Sequence, residues 1–279
     1  MASSVTIPRQ LGFGQTSRTD AWWMQPLAVF LGFSTFIVYS TWVAFQGADP
    51  THTYFWYGGE KGGGANYLSP FFSPTLFGSN DHPGYFGVRP SWWPAWAIFS
   101  PAFLIMWIPA GFRFTCYYYR GAYYKAFWLD PVNCAVGEPR AGYLGEKYLP
   151  LILQNVHRYF LYLALVFIFI LGRDAWDALW FTGPDGVAHF GVAVGSLVLI
   201  INVVLLAGYT CGCHSLRHLV GGFLDAKSKA SACASCYNAV SCLNHRHMLW
   251  AWMSLFWVGF TDLYIRLCAM GVWHDFRFF

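Results

Sequence analysis

The chain has 279 residues, of which 56% are hydrophobic and 11% charged, against about 25% charged in an ordinary soluble domain. Aromatic residues make up 21% and the formal net charge is +4. These values exclude a disordered chain, a nucleic-acid binder and a small disulfide scaffold, and they point to an integral membrane protein.

The first 20 residues, up to Asp20, are polar and lack the apolar core of a signal peptide. Five stretches are apolar enough to span a bilayer: Gln25–Phe45, Trp92–Phe112, Val156–Leu171, Phe190–Tyr209 and Met248–Met270. The expected fold is all-α, a five-transmembrane-helix bundle forming a single domain over residues 1–279. The third stretch is short, but apolar residues resume after Arg173 and extend it. The second holds Pro94, Pro101 and Pro109, each of which removes a backbone donor and kinks a helix. The Gly-, Pro- and aromatic-rich loop from Gln46 to Ser91 is expected to fold back over one mouth of the bundle.

Five spans place the termini on opposite sides. The N-terminus, the second–third loop and the fourth–fifth loop then share twelve basic residues: Arg9, Arg18, Arg113, Arg120, Lys125, Arg140, Lys147, Arg158, Arg217, Lys227, Lys229 and Arg246. The other side has five. The positive-inside rule puts the richer side, and with it the N-terminus, in the cytoplasm of a cell bounded by its inner (plasma) membrane.

That orientation gathers the ligand-type residues. Cys116, Cys134, Cys211, Cys213, Cys233, Cys236 and Cys242 fall on the cytoplasmic side, as do His157, His214, His218, His245 and His247. Thiols there stay reduced, so a disulfide framework is not expected and metal ligation is. If the fourth helix continues past Tyr209, His214 and His218 share one face with Cys211. Cys233-Ala-Ser-Cys236 is a C-x-x-C without a second pair, in Ala/Ser-rich surroundings that read as a loop. Two opposed His would hold a b-type haem; two Cys and two His would hold a Rieske-type [2Fe–2S] centre. The pool of candidate metal ligands is Cys116, Cys134, Cys213, His157, His214, His218 and His247. In the fifth span, Asp262 and Arg266 are four apart and about 22 Å along the helix from His247; they read as an interfacial pair that snorkels to the surface.

The layout resembles the single-chain, cytochrome-b-like membrane anchor of succinate dehydrogenase, in its mycobacterial-type succinate:menaquinone oxidoreductase form. The resemblance is carried by Tyr67-Leu68-Ser69-Pro70-Phe71-Phe72-Ser73-Pro74, Arg113 through Arg120, Cys134 through Pro139, His157-Arg158-Tyr159, Cys213 through His218, Asn244 through Trp252 and Phe260-Thr261-Asp262. It implies partner flavoprotein and iron–sulfur subunits on the cytoplasmic face, electron delivery to menaquinone, and a membrane-embedded Rieske-type cluster in place of haem. The usual Rieske spacing of Cys-x-His followed by Cys-x-x-His is missing, so the four ligands stay open, and haem b remains the alternative cofactor.

Two other functions compete. A stand-alone membrane quinone oxidoreductase would need ligands on both faces, and a transporter would show internal repeats around a midplane site. The docking platform for the soluble subunits is expected over Phe114–Pro150 and the fourth–fifth loop. A quinone needs an apolar slot with a few polar contacts, for which Arg217, Tyr118, Tyr119 and Trp250 are the candidates.

Overall fold

The computed structural model describes residues 12–46, 53–59, 61–80, 82–94, 96–97, 99–139, 147–149, 151–221 and 231–279, the side chains of 231–233 excepted. Arg9, Arg140, Lys227, Lys229 and the Cys233 side chain, all used in the sequence reading, lie outside these residues.

Four helical stretches are long and apolar enough to cross a membrane: Met24–Gln46 (α1), Leu151–Asp177, Val194–Cys211 and His247–Ala269. In each, less than half of the apolar window is buried, as expected where lipid covers the outward faces. The expected second span, Trp92–Phe112, is not one helix. It resolves into α2 (Pro101–Ile105) and α3 (Trp107–Thr115), parted at Met106. The prolines explain this. Pro101 forces Ser100 into an extended conformation (φ −137°, ψ 132°) and suits the first helical position. Pro109 has no N–H for the Ile105 carbonyl four residues back, and α2 stops there.

The fold is also not wholly α. Two antiparallel hairpins occur: β1 (Trp56–Gly58) with β2 (Asn66–Leu68), and β3 (Trp180–Thr182) with β4 (Ala188–Phe190). Both lie between the long helices, where aromatic and small residues replace the long apolar runs. The remaining helices are α4 (Tyr117–Ala126), α5 (His157–Asp177), α6 (Val194–Cys211), α7 (His214–Gly221), α8 (Ser231–His245) and α9 (His247–Ala269). The Ala/Ser-rich stretch expected as a loop is therefore the helix α8, consistent with the high helix propensity of Ala.

The chain divides into two compact units, Met1–Thr35 with Arg113–Val156, and Phe36–Phe112 with His157–Phe279. In the first, the N-terminal segment pairs with the loop after α4. Thr16 bridges Val136, and Gly14 and Gln15 exchange backbone hydrogen bonds with Gly137. Arg18 donates to the Asn133 side chain at 3.2 Å and to the Cys134 carbonyl at 3.0 Å.

In the second unit, α6 packs between α5 and α9. Small residues make the approach possible. A Cβ on Gly195 would sit 2.3 Å from the Tyr67 ring, and one on Gly208 would sit 2.6 Å from the Trp250 ring. The 53–80 loop folds back onto the helices: Phe55, Phe71 and Phe72 are buried with Val43, Ala44, Ala102 and Val258. A second cluster joins Tyr67, Ala175, Phe181, Leu199 and Ile265. The chain's last residues close the same end. Asp275 accepts from the hydroxyls of Tyr67 (2.7 Å) and Tyr264 (2.6 Å) and from the Gly195 N–H (2.9 Å).

Asp262 and Arg266 do not snorkel. They are 0% and 2% exposed and form an ion pair at 3.2 Å. Tyr39 and Ser69 both donate to the Asp262 carboxylate, and the guanidinium lies 5.5 Å from the Trp42 ring centroid. Enclosure by α1 and the refolded loop is what keeps the pair from the surface.

Candidate metal centre at one end of the helices

The end of the second unit opposite Asp262 gathers three of the expected ligand-type residues. α6 stops at Cys211, and the chain turns through Gly212 and Cys213 before α7 begins. Gly212 is required here: a Cβ would lie 2.7 Å from the Gly208 carbonyl oxygen and 3.2 Å from the Leu243 backbone. Asn244 donates to the Gly212 carbonyl at 2.8 Å and fixes the turn. The turn ends the helix that would have carried Cys211 onto the face of His214 and His218.

Held by this turn, Cys213 is 2% exposed. Its sulfur lies 3.1 Å from Nε2 of His157, the first residue of α5, which is itself buried. The His157 ring stacks on Phe112 of α3 (4.7 Å, 7°), and Phe112 meets Tyr209 of α6 edge-on at 5.4 Å. Tyr209 in turn stacks on His247, the first residue of α9, at 5.0 Å and 18°. His247 is near enough to His157 to act on it electrostatically. A thiol, two imidazoles and two aromatic rings thus form one group drawn from α3, α5, the α6–α7 turn and α9, buried except for the half-buried His247. Phe112, Tyr209, Asn244 and the two glycines were not singled out from the sequence. Their signal, Gly and aromatic residues beside each ligand-type residue, is hard to separate from ordinary membrane packing.

The other candidates are placed elsewhere. Cys116 is buried and Cys134 exposed, both in the first unit. In that unit Tyr119 is buried, hydrogen-bonded to Arg113 and edge-on to Tyr118 at 5.7 Å. Burial pushes the Tyr119 phenol up, against the opposing pull of Arg113. His214 and His218 are exposed on α7, with their Nε2 atoms 3.0 Å apart. Partial burial, with His218 and Arg217 nearby, holds the His214 imidazole below its usual range. Arg217 is engaged with α8: it donates to Ser241 (3.1 Å) and Tyr237 (2.9 Å) and covers the Tyr237 ring. Trp250 lies against Gly208. Cys236 and Cys242 are exposed on α8. Among the described residues, no three His, Cys, Asp or Glu side chains converge on one metal position. A cavity of 270 Å³ lies at the far end of α5, lined by Asn66, Ser73, His82, Asp174 and Asp177 among others.

The donor types at His157, Cys213 and His247 suit a centre with mixed thiolate and imidazole ligation. Two imidazoles and a thiol are three of the four groups of a Rieske-type cluster. A porphyrin fits less well. Each imidazole has an aromatic ring flat against it, and close approaches at Gly208–Trp250 and Gly111–Phe160, where a Cβ would lie 2.3 Å from the ring, draw the elements together.

Four helices long and apolar enough to cross a bilayer, with Cys213, His157 and His247 gathered at one end, define a helical membrane protein. The family model described as actinobacterial succinate dehydrogenase subunit SdhC matches residues 24–271, and the chain belongs to that family. It is similar to a chain of the Mycobacterium smegmatis Sdh1 complex in the apo form, with 40% identity, a TM-score of 0.81 and 100% of each chain covered. No curated protein matches the chain significantly. It is thus an SdhC-type membrane subunit of succinate dehydrogenase.

Proposed function

We propose that this subunit passes electrons from the iron–sulfur subunit of succinate dehydrogenase, through a [2Fe–2S] centre, to menaquinone. The supporting observation is the buried contact of Cys213 Sγ with His157 Nε2 at 3.1 Å, with His247 joined to it through Tyr209 and Phe112. Cys213 would supply a thiolate, and His157 and His247 the two imidazoles. Such a centre supplies one-electron transfer at a potential raised by imidazole ligation. The chain's own part is to hold each imidazole flat against an aromatic ring and to fix the Cys213 turn through Asn244.

The rest of the reading rests on the division of basic residues and on the family resemblance. The subunit lies in the plasma membrane with its N-terminus in the cytoplasm, and the broken helix Pro101–Thr115 makes the fifth passage. The flavoprotein and iron–sulfur subunits dock on residues 114–150 and the fourth–fifth loop, of which 140–146, 150 and 222–230 lie outside the described residues. The candidate quinone contacts are Arg217, Tyr118, Tyr119 and Trp250.

The test is low-temperature EPR and optical spectroscopy of the purified complex. Cys213→Ser and His157→Gln should remove a Rieske-type signal and quinone reduction while succinate oxidation with an artificial dye continues. Haem b bands without an additional cluster signal in a fully active complex would overturn the reading.

A further inference from the structure

We propose that His214 and His218 form a second, independent metal site, a two-imidazole chelate on the exposed face of α7 for a divalent transition-metal cation of the zinc and copper class. It does not depend on the electron-transfer reading. The two Nε2 atoms face each other at 3.0 Å, and the rings stand nearly perpendicular at 85° with centroids 4.5 Å apart. Imidazole nitrogens bind such ions at about 2.0–2.1 Å. Two of them on one ion are therefore about 2.9 Å apart at a right angle and about 3.3 Å apart at the tetrahedral angle, from the same bond length. The observed spacing already lies at this bite, and coordination needs little movement.

The spacing is also held in place. Residues four apart on a helix share a face, and α7 carries both histidines. α7 is braced on α8 by the hydrogen bonds of Arg217 to Ser241 and Tyr237. The Tyr237 ring closes on Gly221, where a Cβ would stand 2.6 Å from it. Arg217 lies between the two histidines in sequence, and these same bonds engage its charge with α8. Preorganisation of this kind separates a metal site from two histidines that happen to be near each other.

The site is distinct from the buried group next to it. Cys213 is 2% exposed and turns toward His157, whereas His214, the next residue, is exposed and turns toward His218. Neutral imidazole ligands favour Zn²⁺ and Cu²⁺ over the hard cations Mg²⁺ and Ca²⁺, which prefer oxygen. Two protein ligands leave the other coordination positions to water.

The test uses the intact complex, stripped with a chelator and with its exposed thiols capped, titrated with Cu²⁺ and followed by EPR. The unsubstituted complex should bind one equivalent with hyperfine structure from two imidazole nitrogens, displaceable by Zn²⁺. His214→Gln and His218→Gln should each reduce this to one nitrogen and weaken binding, leaving succinate–quinone activity and the cluster spectrum unchanged. As a check needing no substitution, Zn²⁺ should protect both histidines from diethyl pyrocarbonate, read by peptide mass. Unchanged Cu²⁺ spectra in both variants, or no Zn²⁺ protection, would overturn the proposal. So would loss of the cluster signal in either variant, since that would make the pair ligands of the buried centre.

Discussion

The phenol of Tyr39, on α1, donates to the carboxylate of Asp262, on α9, at 2.7 Å, across 223 residues of sequence. The same carboxylate accepts the Ser69 hydroxyl at 2.5 Å and pairs with Arg266 at 3.2 Å. Removing one member of a buried ion pair costs about 3–5 kcal/mol, because the other charge is left uncompensated. Arg266→Met should therefore lower the melting temperature of the detergent-solubilised protein sharply. The double variant Arg266→Met with Asp262→Leu should recover most of the loss. A double variant as unstable as the single one would contradict this account.

Gly208 carries the ring of Trp250 on its backbone, with a Cβ position only 2.6 Å from the indole. Overpacking of a tight contact costs about 1–3 kcal/mol. Gly208→Ala should destabilise the protein by that amount, and Trp250→Leu in the same chain should restore part of it, as a thermal-stability series would show.

Tyr67→Phe removes one of three donors to Asp275. A hydrogen bond to a charged group contributes about 1.5–3 kcal/mol. Faster amide hydrogen exchange is expected at Val194 and Phe278, whose N–H groups bond to Phe276 and Val192, with the rest of α6 unaffected.

His82 stacks on Trp56 at 5.1 Å, and burial holds its imidazole below the usual range. A histidine depressed in the folded state contributes stability above its unfolded value, about 6.5. That contribution is lost as pH falls from there toward the folded value, because the unfolded chain takes the proton first. The loop around Trp56 should accordingly loosen on mild acidification, seen as faster exchange over residues 53–59, and His82→Gln should abolish the dependence.

The long helices were legible because apolar runs such as Val194–Cys211 are set by hydropathy alone. The break at Met106 was legible in kind: Pro101 and Pro109 stood in the sequence, but a hydropathy window averages over them. The hairpins were not, since Trp56–Gly58 and Asn66–Leu68 are too short to show an alternation. The site was legible as a pool of ligand-type residues and no further. The contact of His157 with Cys213 spans 56 residues, and nothing local to either names the other. Asp262 was misplaced for the same reason, because its solvating partners Tyr39 and Ser69 lie in segments whose fold is decided by tertiary packing. His214 and His218 still share a face, on α7 and not on a continued α6, as an i, i+4 pair needs only the helix that carries it.

The Asp262–Arg266 pair also bears on how the chain enters the membrane. α9 has a mean hydropathy of 1.2, against 2.1 for α6 and 1.7 for α1. A charged residue at the middle of a span opposes partition from the insertion machinery by up to about 3 kcal/mol, less toward its ends. The groups that offset this for α9 are Tyr39, Trp42 and Ser69, all synthesised long before it. Biogenesis therefore calls for α1 and the 53–80 loop to stay at the exit site until α9 emerges, so that the last helix leaves as a docked partner and not as a solitary one.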